Sequence, residues 1–477
     1  MTAVPAGTLA PESPARSSDR PESVLPSVIV VLAMSALLLR LAAILLIANP
    51  DAPGAMEHTS LAKGLLLGEG FSFNESAGYT ERGLYEPSSV QSPPYPLFLA
   101  GLFKIFGVDS SAAYTAAWIV NAVFAALTVP ALYLLTRRLA PDQRWGHVVG
   151  VLAAGLFAIW PTQVFAVTQA QAVVAITFGF VAIAWLWLES LETGRILPWI
   201  AYGVIGCFAA LTEPVLLPPM ALSGVWVLLT PRLPKPLRLR NGAILLALAL
   251  AIIGPWTWRN YRVHDTFMPI KSTFWVNVWK GNNATDPGHS GTDRPELTAE
   301  RLAQVQATGR DELRQYDLLT PEQRIALDGK PAVQREELFG QWAKSWISEN
   351  PSMYAAVSGK RLAKTLWWDW DHPGGYKFFY LYPTTRAVLL LATLVGGFVA
   401  WRRGWHFSHV MLLSGLAVLT YTLTVTAARF GLPMEPFQFV LLALAGVAIF
   451  GRRRVEQVRP PIVASFLGKR AINDGEA

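Results

Sequence analysis

The chain has 477 residues, 52% of them hydrophobic, with 18 tryptophans, a mean hydropathy of +0.34 and a formal net charge of +7. That apolar load exceeds what a soluble chain of this length carries, so a soluble enzyme is excluded and a polytopic, all-α membrane protein is expected. The positive charge sits largely in short loops between apolar runs, where it faces anionic lipid, and gives no reason to expect nucleic-acid binding.

Residues 1–23 are rich in Pro, Ser, Ala and charge, without an apolar core, and read as a disordered cytoplasmic tail with no cleavable signal. Ten apolar segments follow, each a candidate span of about 20 residues or somewhat less. They lie near Val28 to Ala48, Ala112 to Leu135, His147 to Trp160, Val167 to Leu188, Pro198 to Leu211 and Pro214 to Leu229. The rest are Gly242 to Trp258, Thr385 to Trp401, His409 to Ala427 and Met434 to Phe450. Arg137, Arg138, Arg144, Arg232, Lys235, Arg238, Arg240, Arg402, Arg403 and Arg452 to Arg454 all fall on one side if both termini are cytoplasmic. The run Tyr95 to Phe106 would reverse that order if it crossed, so it is read as an interfacial or re-entrant helix introduced by Pro93 and Pro94. Arg40 lies deep in the first span, where a lone charge costs several kcal/mol, so it must pair internally or line a cavity. Cys207 stands alone and cannot form an intrachain disulfide.

The domain order is then a tail (1–23), an N-terminal transmembrane module (24–258) holding a first outer loop (49–111), and a long outer loop (259–384). C-terminal spans (385–450) and a cytoplasmic tail (451–477) complete it. The long loop exceeds any connection's needs and carries its own helix signals. Thr320-Pro321-Glu322-Gln323 is a capping box with proline at the first helical position. Glu336 to Trp346 and Met353 to Trp368 have apolar residues at helical spacing, and Trp367, Trp368 and Trp370 suit a membrane interface.

In the first outer loop, a helix over Met56 to Gly68 places Glu57, Leu61, Gly64, Leu65 and Gly68 on one stripe, with Lys63 nearly opposite. A carboxylate on such a face is partly desolvated and so a better proton acceptor; equally, a Glu in a first turn stabilises the helix dipole. Arg259, Arg262, Lys280 and Arg429 are cations at the outer face, against the positive-inside trend, and suit a phosphate; contact with lipid headgroups or helix ends is the other reading. Gln169 and Gln171, at the start of the fourth span, fit a substrate or another helix, and are left out of the site. No His, Cys, Asp and Glu cluster has metal spacing.

Several segments together carry a resemblance. They are Met56-Glu57 with Leu-Ala-Lys-Gly-Leu-Leu-Leu-Gly-Glu-Gly-Phe, Ser-Pro-Pro-Tyr-Pro-Leu-Phe-Leu-Ala-Gly-Leu-Phe-Lys-Ile-Phe-Gly from Ser92, and Ala-Leu-Thr-Glu-Pro from Ala210. Pro-Trp-Thr-Trp-Arg-Asn-Tyr-Arg from Pro255, Trp-Lys-Gly-Asn-Asn from Trp279, and Arg429 before Leu-Pro-Met-Glu-Pro follow in order. The chain resembles the membrane glycosyltransferases of the GT-C superfamily, in the branch of protein O-mannosyltransferases, the aminoarabinose transferase of lipid A and RgtA/B/C/D-like proteins. The resemblance implies a polyprenyl-phosphate sugar as donor, an acceptor lipid, glycan or protein at the extracytoplasmic face of a bacterial inner or plasma membrane, and Glu57 as general base. Arg259, Arg262, Lys280 and Arg429 are then the candidates for the donor phosphate. No cofactor is expected; the scheme does not require a divalent ion and leaves room for one. Gly54 and Ala55 stand where many relatives have an Asp, and Gly431 where a second basic residue is usual. A transporter or flippase of lipid-linked saccharides is the competing expectation.

Overall fold

The computed structural model describes residues 25–55, 57–74, 85–288, 318–366, 381–426 and 428–450. The tails, Met56 and the tryptophans Trp367, Trp368 and Trp370 lie outside the described residues, as does the side chain of Arg429.

All ten apolar segments are helical. They are α1 (Leu25–Ile47), α4 (Ser111–Leu139), α5 (Gln143–Ile159), α7 (Val173–Thr193), α8 (Ile196–Thr212), α9 (Leu217–Leu229), α10 (Lys235–Ile252), α16 (Leu381–Arg402), α17 (Ser408–Leu423) and α18 (Glu435–Phe450). Between α1 and α4 come α2 (Glu57–Leu66) and α3 (Pro94–Phe106), and α6 (Pro161–Phe165) follows α5. The segment between α10 and α16 holds α11 (Gly254–His264), α12 (Phe274–Gly281), α13 (Pro321–Leu327), α14 (Ala332–Glu349) and α15 (Pro351–Leu366). This is an integral membrane protein. Among the described residues four helices are long and apolar enough to cross a bilayer singly, and six if two bent pairs each count as one span. Other apolar helices are shorter; α8, α9 and α17 have 17, 13 and 16 residues.

The all-α expectation needs one amendment. Strands β1 (Ser72–Asn74) and β2 (Tyr85–Pro87) pair antiparallel, Phe73 opposite Glu86. Three-residue strands are too short to show the alternation by which a strand is recognised in sequence.

Two expected spans are bent, each at a proline. The seventh breaks at Ile253, where α10 turns into α11 by 42°, because Pro255 has no N–H for the carbonyl four residues back. The third bends by 52° into α6 at Pro161. There the carbonyl of Phe157, four residues before the proline, loses its helical donor. Arg40 replaces it: Nη2 donates to Phe157 O at 3.0 Å, and Nη1 donates to Ala158 O at 2.8 Å and Ala36 O at 3.2 Å. The guanidinium also lies over the Phe157 ring, 5.1 Å from its centroid. The buried charge in the first span is therefore the cap of a helix broken elsewhere in the sequence.

The expected start of the fourth span also moves. Ala166–Thr168 form a 3-10 turn and α7 begins only at Val173, so Gln169 and Gln171 lie in a non-helical junction. The helix α3 has 13 residues, about 20 Å at 1.5 Å per residue, short of a hydrocarbon core of about 30 Å. It packs on α2 and α4, while α4 packs against α1, α5 and α7 as the centre of the N-terminal bundle.

In the long segment, α14 and α15 form where the helical spacing places them. The capping box is present: Thr320 Oγ1 accepts from Gln323 N at 3.3 Å, and Gln323 Oε1 accepts from Thr320 N at 3.1 Å. A separate core of Val276, Val278, Trp279, Leu318, Leu319, Leu327, Phe339 and Ala343 holds α12, α13 and α14 together.

Candidate active site

Glu57 is the first residue of α2 and is half-buried. Of its stripe, Leu61 and Gly64 are buried and Leu65 packs against Leu61, Phe71 and Phe73. At Gly64 a Cβ would come within 2.7 Å of Ser72 O, so glycine here admits the hairpin. Gly68 falls beyond the helix, with φ +83°. Lys63, on the other side, pairs with Asp109; Tyr114 donates to Asp109 Oδ1 at 2.7 Å and meets Thr59 Oγ1 at 3.2 Å. The helix is thereby held on both flanks, to the hairpin and to the start of α4.

One amide reaches the Glu57 carboxylate: Gln91 Nε2 donates to Oε2 at 3.4 Å. Beside it, the His58 ring lies 4.9 Å from that of Tyr95, on the first turn of α3. The Ser-Pro-Pro-Tyr segment is therefore brought onto the first turn of α2, which the two prolines achieve by starting α3 directly after Gln91.

Arg259 lies at the other end of the same loop. Its Nη1 donates to Ser88 O at 2.7 Å and Ser89 Oγ at 3.0 Å, and its Nη2 to Phe71 O at 2.8 Å. Phe71 and Trp256 flank the guanidinium, their centroids 5.6 and 5.0 Å away. Ser89 Oγ donates to Asn260 Oδ1 at 2.7 Å and meets His264 Nε2 at 2.9 Å, and Asn260 Nδ2 donates to Ile270 O at 2.9 Å. The loop 88–91 thus runs from a knot on α11 to the carboxylate of Glu57.

The other cations are placed differently. Arg262 lies on an exposed side of α11, over the Trp258 ring at 6.0 Å. Lys280 is half-buried on α12, in the Trp-Lys-Gly-Asn-Asn segment. That segment is clasped by the buried Arg361 of α15, which donates to Gly281 O, to Asn282 Oδ1 at 2.8 Å and to Thr422 O at 3.2 Å. The backbone of Arg429 is in a 3-10 segment, Ala428–Met434, that also packs on α15. The structure brings Glu57 and Arg259 to one loop, and sets Lys280 and the Arg429 backbone against one helix.

A buried ion pair lies outside the candidate site residues that the sequence marks. Arg386 of α16 and Glu435 of α18 form an ion pair at 3.2 Å, and Glu435 also accepts from Thr162 Oγ1 at 2.6 Å and Gln163 Nε2 at 2.9 Å. The Arg386 guanidinium fills the space into which a Cβ on residue 431 would project. The glycine at 431 leaves room for that guanidinium. An ionisable residue within an apolar segment is a signal for such a pair, and Arg386 and Glu435 both carried it.

Glu336 of α14 supplies a pH-dependent contact. Its carboxylate accepts from the N–H groups of Trp275 and, at 3.2 Å, Val276, in the first turn of α12. Burial pushes its carboxyl up to about 7 against the opposing effect of those two hydrogen bonds. A group whose folded value is raised favours the folded state most below its unfolded value of 4.5, and that contribution is lost as pH rises through about 7. Amide-exchange protection of α12 and α14 is expected to be greater at pH 5 than at pH 7.5, with Glu336→Gln flattening the difference. An unchanged slope in that variant would assign the effect to another group.

No family model matches the chain, and no curated relative matches it. Among solved structures, the oligosaccharyltransferase AglB of Archaeoglobus fulgidus, in complex with an inhibitory peptide and a dolichol-phosphate, superposes with a TM-score of 0.50 at 16% identity, covering 90% of this chain and 50% of that one. The apo form of the A. fulgidus enzyme gives 0.51 at 15% identity over 90% and 51%. The chain shares the fold of these oligosaccharyltransferases over the matched part. It spans about half the length of these oligosaccharyltransferases. ArnT from Cupriavidus metallidurans, bound to undecaprenyl phosphate, is a further structural neighbour, with 13% identity, 89% and 78% coverage and a TM-score of 0.39.

Proposed function

We propose that this chain is a GT-C membrane glycosyltransferase that moves a sugar from a polyprenyl-phosphate donor to an acceptor hydroxyl at the extracytoplasmic face, with Glu57 as general base. The observation that supports it best is the half-buried carboxylate of Glu57 at the start of α2, with the Gln91 amide on one oxygen. In this reading the Glu57 carboxylate takes the proton of an acceptor hydroxyl. As the O–H bond breaks, the oxygen attacks the anomeric carbon, and the bond from that carbon to the phosphate oxygen breaks on the opposite face. Polyprenyl phosphate leaves with the electron pair, and the anomeric configuration inverts.

Phosphate needs little protonation to leave, so the site must supply positive charge rather than a strong acid. Lys280 and Arg429 are the cations proposed for the leaving phosphate. Arg259 keeps its charge beside the loop while its donors hold Phe71 and Ser88, and exposed Arg262 meets the donor only if the lipid approaches along α11. The AglB structure contains dolichol-phosphate, which fits a donor of this class. Both termini are then cytoplasmic and the bilayer is the donor's source.

The test is a panel of radiolabelled polyprenyl-phosphate sugars in membranes that express the protein and carry its acceptor, with donor cleavage, labelled product and donor translocation followed together. Cleavage with a labelled product is expected for one sugar. Translocation of intact donor without cleavage would make the protein a flippase.

A further inference from the structure

The position of Glu57 depends on the chain just before it, and that chain is held by side chains assigned no role so far. The Pro53 carbonyl accepts from the N–H of Ala170 at 2.8 Å, and the Gly54 carbonyl accepts from Gln171 Nε2 at 2.8 Å. Gly54 has φ +70°, a left-handed conformation that disfavours other residues, and the side-chain oxygen of Gln169 lies where a Cβ would project. The junction is itself anchored: the carbonyl of Gln169 accepts from Asn121 Nδ2 of α4 at 3.0 Å, and Ala170 is fully buried. Ala55 O then accepts from His58 N at 3.1 Å, which starts the first turn of α2. The carboxylate thus stands three residues beyond a peptide group whose orientation is set by an amide from the far end of a broken span.

We propose that Gln171 is a positioning residue that fixes the Glu57 carboxylate by donating to the Gly54 carbonyl. The inference rests on the assignment of Glu57 as general base. Without the donor, the Gly54 peptide is free to rotate, since glycine has no Cβ to oppose it, and α2 inherits the change at its first residue. A displacement of about 1 Å at a reacting group costs on the order of 100-fold in rate. Gln169 has a different part, packing over Gly54 Cα so that no side chain enters there.

The test compares Gln171→Leu, which removes the donor at similar size, with Gln171→His, which keeps an N–H at similar reach, in the full-length protein in membranes that carry its acceptor. Donor cleavage is measured in both the Glu57 and the Glu57→Gln backgrounds. Gln171→Leu is expected to lower kcat about 30-fold while KM for the lipid donor stays within about twofold, because the donor phosphate is held elsewhere. Gln171→His is expected to recover most of that loss. In the Glu57→Gln background, Gln171→Leu should cause no further loss of the residual rate, since it acts through a carboxylate no longer there. An unchanged kcat, or an equal fractional loss in both backgrounds, overturns the proposal. If Gln171→Leu does not fold, Gln171→Asn, which keeps the amide one methylene short, is expected to show the same fall in kcat, and normal kcat there overturns it equally. Full activity of Glu57→Gln would remove the general-base assignment itself; an inactive Glu57→Gln beside a fully active Gln171→Leu removes only the role of Gln171.

Discussion

Glu57→Gln is expected to reduce sugar transfer to a small residual rate while membrane insertion and donor binding persist. The amide is the same size as the carboxylate, so the first turn of α2 and its packing against the Ser88–Gln91 loop survive. What disappears is the proton acceptor. A positioned general base contributes about 100- to 10,000-fold, and a loss within or above that range is expected in kcat, with little change in the affinity for the lipid donor. Loss of kcat with binding retained separates catalysis from packing, because a misfolded site would lose both. Gln91 offers a check on geometry, since Gln91→Leu removes the observed hydrogen bond to Oε2 and leaves the base present. Full transfer by Glu57→Gln would rule out the assignment, and the carboxylate would then serve α2 as a first-turn charge alone.

The second large effect is expected at Arg386, and it is an effect on stability. Arg386→Leu leaves Glu435 buried with Thr162 and Gln163 as donors and without a countercharge. Breaking a buried ion pair by removing one partner costs about 3–5 kcal/mol. The thermal midpoint of the detergent-solubilised protein should fall by several degrees. Combining Arg386→Leu with Glu435→Leu should recover much of the loss, since replacing both members of a buried pair with apolar residues is often neutral or better. Gly431→Leu should resemble the single variant, because a side chain there takes the space of the guanidinium. A normal midpoint for Arg386→Leu would show that the pair contributes no net stability.

These two sites are linked through the bend after α5. Arg40 satisfies the carbonyls before Pro161; Thr162 and Gln163, just after it, hold Glu435; and Gln169 to Gln171, at the end of the same stretch, hold the chain before Glu57. A proline in a membrane helix leaves backbone groups that water does not reach, and other residues must satisfy them. The broken helix is therefore met by polar side chains of α1 and α18, and the stretch that follows it by backbone carbonyls of the first loop, with the proposed base at the end of that arrangement.

Short windows of sequence encode the class of protein, the ten helical segments, the capping box at Thr320 and the helix that carries Glu57. Hydropathy over about 20 residues, or a four-residue cap, decides each before any distant contact forms. The sequence also required that Arg40 be paired, because a charge at that depth has few alternatives. The partner was not legible, since it depends on a proline more than a hundred residues away. Likewise only the tertiary structure placed Arg259 on the Phe71 and Ser88 carbonyls, Arg386 in the space above Gly431, and Gln171 on Gly54. Such pairings bring together residues from separate helices, and a helical period says which face a residue occupies but not which element comes to cover it. The short strands escape notice for a related reason: a two-stranded pair needs cover from elsewhere, which here comes from Leu61 and Leu65 of α2 and from Trp256 of α11.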